Sequence, residues 1–254
     1  MVCKLAGILL PLNFFNLNKN KLSVATITWA RDTEEETLLR SALSRLALMR
    51  IPVFVTDGGS GESFIEFLDS LPNFTVVQPL GKGLWNQVNS SLNATLSHTA
   101  THVLYTEPDK LDFFTNRLEH FIEAADEAMG IVLASRSEEA FASFPAFQQT
   151  TETSINFCCA EVIHQSFDFT YGPFILNSKL IPFLNYLPAD IDWGWRPFAF
   201  CIAHRLGYKI QEIKGDNLCP IDQRQDSPKE RIYRMKQLYQ NIEGVVLSTS
   251  VGVK

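Results

Sequence analysis

Cysteine is scarce in this sequence and its spacing is unpaired. Cys3, Cys158, Cys159, Cys201 and Cys219 form no C-x-x-C motif, and their odd number leaves one thiol over in any all-disulfide framework. Reduced thiols and a cytoplasmic location are the simplest expectation. Histidine is scattered, with no H-E-x-x-H or comparable zinc spacing. Long apolar runs are missing as well. Ala6 to Leu12 is interrupted by Pro11 and followed by Asn13, far short of the ~20 residues that cross a bilayer. No convincing small-residue cleavage site follows it. Residues 1–21 are therefore expected to be a leader, poorly ordered or peripheral, with no transmembrane segment; peripheral membrane contact stays open. Positive charge is not in excess: 22 Lys and Arg stand against 28 Asp and Glu, a net charge of −6. That excludes a general nucleic-acid binder and leaves room for a single nucleotide. There is no internal repeat, low-complexity tract or linker, so residues 22–254 read as one domain.

What is present is ample core material. Hydrophobic residues make up 46% of the chain and charged residues 20%, with 19 Phe, enough for a full core with aromatic packing or an aromatic-lined cleft. Leu22 to Trp29 is rich in β-formers and reads as a strand. Thr33 reads as an N-cap with Glu36 as its capping-box partner, and Leu39, Ala42, Leu43 and Leu46 recur at helical spacing. Pro52 to Thr56 is short and continuously apolar, as in a parallel sheet covered on both faces. A helix around Phe64 to Leu71, a strand at Phe74 to Gln78, a helix over about 84–96 and a strand at His102 to Tyr105 follow. This βαβαβαβ order predicts an α/β fold with a mostly parallel sheet flanked by helices. Beyond it the pattern predicts a helix over about 111–129, a strand at Gly130 to Ala134 and an irregular segment over 138–156. Then come a short strand or helix start at 174–177, helices over 178–187 and 198–206, and a strand at Tyr208 to Ile213. Ser227-Pro228-Lys229-Glu230 is a capping box with Pro at the first helical position. The helix it opens is expected to bury Ile232, Met235, Leu238, Tyr239 and Ile242, to turn Arg231, Arg234 and Lys236 to solvent, and to end at Gly244. A tail or short edge strand is expected after it.

In open α/β sheets, ligands bind outside the carboxyl ends of the strands. Here those ends carry Arg31-Asp32, Asp57-Gly58-Gly59-Ser60, Gly81-Lys82-Gly83 and Glu107-Pro108-Asp109, four polar segments converging on one crevice. Glu107 and Asp109 are hard oxygen donors suited to Mg²⁺ or Mn²⁺ shared with phosphates; the alternative is a plain polar turn after a strand. Asp57, acceptor-only when ionised, suits a base N–H or ribose hydroxyl, or else simply closes an Asx turn. Lys82 sits at a helix start, where exposed N–H groups attract anions. In Asp190-Ile191-Asp192-Trp193-Gly194-Trp195-Arg196, a carboxylate can act as general base, the indoles can stack on sugar rings and Arg196 can grip an anion. The other reading is an ordinary acidic helix start with core tryptophans.

This succession resembles the GT-A nucleotide-sugar glycosyltransferases, especially those like family 2. The matching pieces are a polar turn after the first strand (Thr28 to Asp32), a D-G-S-like turn (Thr56 to Ser60), a glycine-containing helix start (Gly81 to Gly83), and a strand ending in D-x-D, here Glu107-Pro108-Asp109. The likeness is closest over 22–137 and looser over 167–213, through Tyr171-Gly172-Pro173 and Asp190-Ile191-Asp192. It implies a GT-A-type, Rossmann-like single domain. Its parts would be a nucleotide-sugar half (22–137), an acceptor half (138–226) and a C-terminal helix and tail (227–254). It implies transfer of a sugar from a nucleotide-diphosphate sugar to an acceptor hydroxyl, assisted by Mn²⁺ or Mg²⁺ at Asp109 and Glu107. Donor contacts are implied at Thr28, Arg31, Asp57, Gly81, Lys82 and Glu107. Asp192 is the implied base, with Asp190 second, and Arg136, Trp193, Trp195 and Arg196 the acceptor contacts; Gln148 and Glu152 join them by position. The chain departs from the family in three ways: Glu stands for the first Asp of D-x-D, Lys110 follows Asp109 directly, and no His follows His204 near Asp216 and Asp222. A nucleotidyltransferase ranks lower, because Thr28 to Asp32 lacks a glycine-rich basic signature. A non-catalytic nucleotide- or sugar-binding protein on the same scaffold is the third reading.

Overall fold

The strand β1, Leu22–Thr28, is almost wholly buried, its small polar residues Ser23, Thr26 and Thr28 included, as in a parallel strand covered on both faces. A computed structural model describes residues 16–224 and 226–252. β1 lies parallel to β2 (Val53–Asp57), with Thr28 opposite Asp57. Between them runs α1, Thr33–Ala47. Its cap is Asp32 rather than Thr33: the Asp32 carboxylate accepts the Glu35 N–H at 2.8 Å, and Glu34, Glu35 and Glu36 follow at the positive end of the helix dipole. Then follow α2 (Glu62–Ser70), β3 (Phe74–Val77), α3 (Leu84–Thr95) and β4 (His102–Tyr105). The helix expected over 111–129 is two pieces, α4 (Leu111–Asn116) and α5 (Leu118–Ala124), broken at Arg117, whose φ of −127° leaves the helical range.

After β5 (Ile131–Arg136), the segment expected to be irregular forms α6 (Glu138–Ala142) and α7 (Ala146–Ile163). Its helical period is hidden because polar Gln148, Thr151 and Glu152 occupy its buried face. β6 (Phe174–Asn177) pairs antiparallel with both β4 and β5. α8 (Ile181–Leu184) follows a 3₁₀ turn. α9 (Trp195–Arg205) starts three residues earlier than expected, because Pro197 falls in its first turn, where no intrahelical donor is needed. β7 (Ile210–Gly215) and α10 (Pro228–Ser250) complete the described elements. The sheet order is β3-β2-β1-β4-β6-β5-β7, with β6 antiparallel to its neighbours and the other pairings parallel.

Two cores flank the sheet. α3, α7, α8, α9 and α10 cover one face, and α1, α2, α4 and α5 the other. α10 runs through Gly244 instead of stopping there, and it is rotated from the expected setting. Gln240, Gly244, Val245 and Ser248 are its buried residues, while Ile232, Met235 and Tyr239 are exposed. Leader residues 1–15 lie outside the described residues. Of the remainder, Leu17 is buried against the α5 side, and Lys19 and Lys21 pair with Glu119 and Glu127. Among the described residues no helix is long and apolar enough to cross a membrane.

Candidate active site

The carboxyl ends of β1, β2 and β4 open into a cleft of about 1090 Å³, with the α3 N-terminus, α7 and α10 around it. At its β1–β2 wall the Thr28 hydroxyl donates to Asp57 Oδ2 at 2.8 Å, and the Ser60 hydroxyl donates to the same oxygen at 2.6 Å. Asp57 Oδ1 accepts the Gly59 and Ser60 N–H groups at 2.8 and 2.6 Å. Asp57 thus builds the turn and lines the cleft at once; its four acceptor positions are engaged inside the protein. Arg31 also lines the cleft, held by two bonds to Glu35 at 2.9 and 2.6 Å. Gly81, Lys82 and Gly83 lead into α3; Gly83 has φ +97°, a conformation favouring glycine, and Lys82 is exposed at the cleft.

Glu107 and Asp109 stand at the floor beyond β4. Arg196 Nη1 donates to Glu107 Oε1 at 3.0 Å, while Glu107 Oε2 and Asp109 Oδ1 are buried without a hydrogen-bond partner. Two carboxylates lining one cleft, each with an unpartnered oxygen, are donors of the type a divalent cation takes. No group of three or more His, Cys, Asp or Glu gathers there among the described residues, so the protein would supply two ligands and leave the rest to phosphate and water. Lys110 Nζ lies 3.8 Å from Asp109 Oδ1. Burial would lower the Lys110 pKa, but Asp109 and Glu107 outweigh it and push it up, so the ammonium stays charged. Glu107 is seated on Gly172 (φ +133°), where an added Cβ would collide with its carboxylate.

Arg136 lies buried at the end of β5. Its Nε donates to Asp168 Oδ2 at 2.7 Å, and its Nη2 donates to Asp168 Oδ1 at 2.9 Å and to Thr170 Oγ1 at 2.8 Å. The same Nη2 lies 2.7 Å from Glu152 Oε2, and Gln148 Nε2 donates to Glu152 Oε1 at 2.7 Å. Arg136, Gln148 and Glu152 all line the cleft. Burial would raise the Asp168 carboxyl, but the Arg136 guanidinium prevails and holds it at about 2.

The acidic stretch before α9 divides. Trp193 and Arg196 line the cleft. Trp195 is 0% exposed and packs on Tyr105 and Phe174, so its indole is core material and cannot reach an acceptor. Asp190 is exposed and does not line the cleft, because the turn carries it to the surface. Asp192 does not line the cleft itself but neighbours Gly83, which does: Gln240 Nε2 donates to its Oδ2 at 3.0 Å, and its Oδ1 lies about a van der Waals contact (4.0 Å) from where a Cβ on Gly83 would stand. Asp216 accepts from the Ser137 hydroxyl at 2.8 Å; the Asp222 side chain lies outside the described residues. Sequence reasoning missed Asp168, which no motif marks, and the cleft wall made by Tyr233, Arg234, Gln237 and Asn241 of α10. The Ser227 cap with Pro228 after it announced that helix but not where it docks.

No protein-family model matches this chain, and no curated protein does. Solved structures of Mycobacterium tuberculosis glucosyl-3-phosphoglycerate synthase match in shape. The complex with Mn²⁺, uridine diphosphate and phosphoglyceric acid has TM-score 0.58 and 14% identity, covering 91% of this chain and 80% of that one. The complex with Mn²⁺, uridine-diphosphate-glucose and phosphoglyceric acid gives 0.60 and 15%, covering 91% and 81%. The complex with Mg²⁺ and uridine diphosphate gives 0.57 and 14%, covering 92% and 81%. At these identities the likeness is one of fold, and the chain has the GT-A-type architecture its strand-end motifs led one to expect.

Proposed function

We propose that the protein is a glycosyltransferase that moves a sugar from a nucleotide-diphosphate sugar to an acceptor hydroxyl. The observation that carries this reading is the pair of carboxylates Glu107 and Asp109, each with one buried oxygen lacking a hydrogen-bond partner, lining the cleft that Asp57 and the Gly81–Gly83 loop also line. Asp109 and Glu107 would hold Mn²⁺ or Mg²⁺, which when bound neutralises charge growing on the leaving diphosphate. The fold relatives were solved with those ions and uridine nucleotides, in keeping with this donor class. Lys110 and Lys82 add fixed positive charge for the diphosphate, with the exposed N–H groups of the α3 terminus. Asp57 and Thr28 shape the nucleotide wall. Trp193 offers a ring face for a sugar. Asp192 is the base for the acceptor hydroxyl, with Arg136 and Arg196 shaping the acceptor side.

The test is a panel of nucleotide-sugars with Mn²⁺, following release of nucleoside diphosphate, together with calorimetry of nucleotide binding with and without metal. Metal-dependent diphosphate release is expected, and Asp109→Asn is expected to abolish it. Nucleotide affinity indifferent to Mn²⁺ would count against the reading, as would binding of every probe without turnover. The ion pair of Glu107 with Arg196 favours the non-catalytic reading, which that last outcome would leave standing. Pyrophosphate release from a nucleoside triphosphate would mark a nucleotidyltransferase instead.

A further inference from the structure

Asp192, Trp193 and Gly194 form a 3₁₀ turn between α8 and α9. Each of these three consecutive residues is gripped by α10. Trp193 Nε1 donates to the Tyr233 hydroxyl at 3.0 Å, and Gln240 Nε2 donates to Asp192 Oδ2 at 3.0 Å. Gly194 meets the backbone at Gln240, and Gly244 meets the backbone of Gly194, so closely that a Cβ on either would strike a carbonyl oxygen. Positions 233, 240 and 244 are seven and four apart, which places them on one face of the helix. Asp192 has φ +43°. Non-glycine residues are uncommon in that region, Asp being among those that enter it most readily, and such residues cluster at functional sites. Gln240 is 4% exposed, so its amide has no water to fall back on. Lys236 Nζ reaches only 3.9 Å from the same carboxylate oxygen and is 66% exposed, a weak and screened partner.

The two Asp192 oxygens are therefore unlike. Oδ2 is tied to α10, and Oδ1 is left facing Gly83 at the donor cleft. We propose that Gln240 is a positioning residue for Asp192, and that α10 is the template on which the acceptor side of the cleft is set. This rests on the reading of Asp192 as the base. Gln240 touches no reacting atom; it fixes which oxygen is free and where it points. Misplacing a reacting group by about 1 Å costs on the order of 100-fold in rate, so loss of this one bond should fall on kcat and spare nucleotide affinity.

The experiment uses the full chain and four proteins: wild type, Gln240→Glu, Asp192→Asn, and the double variant. Gln240→Glu sets a second carboxylate against Asp192, and a fall in Tm of about 5 °C is expected. The double variant restores the pair with donor and acceptor exchanged, and its Tm should return to within about 1 °C of wild type. Simple addition of the two single losses would overturn the assignment. Gln240→Met, which keeps the shape and drops the donor, should lower kcat for uridine-diphosphate-glucose turnover by about 10- to 100-fold with an unchanged Kd for uridine diphosphate. An unchanged kcat, or equal losses in kcat and nucleotide affinity, would also overturn it. Coupling of the two positions in Tm, with no nucleotide-sugar turnover by the wild type, would support Gln240 as the anchor of Asp192 and overturn the glycosyl-transfer reading instead.

Discussion

Arg136 carries a guanidinium into the interior, where Asp168 and Glu152 answer it. Removing one partner of such a set strands the others in low dielectric. Arg136→Met is expected to cost about 3–5 kcal/mol of stability, read from urea unfolding; a loss under about 1 kcal/mol would show that water screens the cluster. The same cluster sets an acid limit. The Asp168 carboxyl sits at about 2 in the folded chain, below its ordinary value of about 3.9. Its contribution is therefore fully present above about pH 4 and disappears as pH falls toward 2, amounting to roughly 2–3 kcal/mol. Stability measured between pH 5 and 2 should fall more steeply in the wild type than in Asp168→Asn, and parallel curves would contradict this. At the same scale, Asp109→Asn should weaken Mn²⁺-dependent nucleotide binding at least about tenfold, checked by calorimetry with and without metal. Residues tied to a strand end, such as Asp57, Lys82 and Asp109, could be placed at the cleft from the sequence because in such sheets the crevice lies at the strands' carboxyl ends. Asp168 could not, since a partner 32 positions from Arg136 leaves no periodic trace. Trp195 was misjudged for a related reason: composition tells that an indole is near a site, not which way its Cα–Cβ bond points.

The elements themselves were mostly readable. Strands buried on both faces and helices with one apolar stripe advertise themselves, and β1 to β4 with the helices between them fell where expected. α7 did not, because its inward side carries Gln148, Thr151 and Glu152 toward a cleft rather than Leu toward a core. The setting of α10 was wrong by a rotation, since Gln240 and Gly244 take the buried face that Ile232, Met235 and Tyr239 seemed to claim. Gly244 gives this setting a sharp test. Ala in place of Gly within an exposed helix gains about 1 kcal/mol from propensity alone. Here the added Cβ meets the Gly194 carbonyl, so Gly244→Ala should instead lose about 1–3 kcal/mol. Stabilisation of that variant, in thermal or urea unfolding, would mean α10 does not press on the turn.

Over the whole molecule, the cleft joins segments far apart in sequence, so a ligand that fills it ties both halves of the sheet together. At 100 times its Kd such a ligand adds about 2.7 kcal/mol. Uridine diphosphate with Mn²⁺ should raise the Tm by about 5–10 °C, Mn²⁺ alone should raise it less, and Asp109→Asn should lose the metal-dependent part. Equal shifts in both proteins would remove Asp109 from the metal site. The position of α10 in chain order also bears on how the molecule comes into being. Ribosomal synthesis delivers the chain from its N-terminal side at about 5–20 residues per second. All seven strands of the sheet end by Gly215, whereas the helix that grips Asp192 begins at Pro228. A nascent chain can thus pair its strands before the helix that seats the 192–194 turn has been made. The cleft wall made by Tyr233, Arg234, Gln237 and Asn241 arrives after every strand is in place, so the cleft is complete only once α10 has been made.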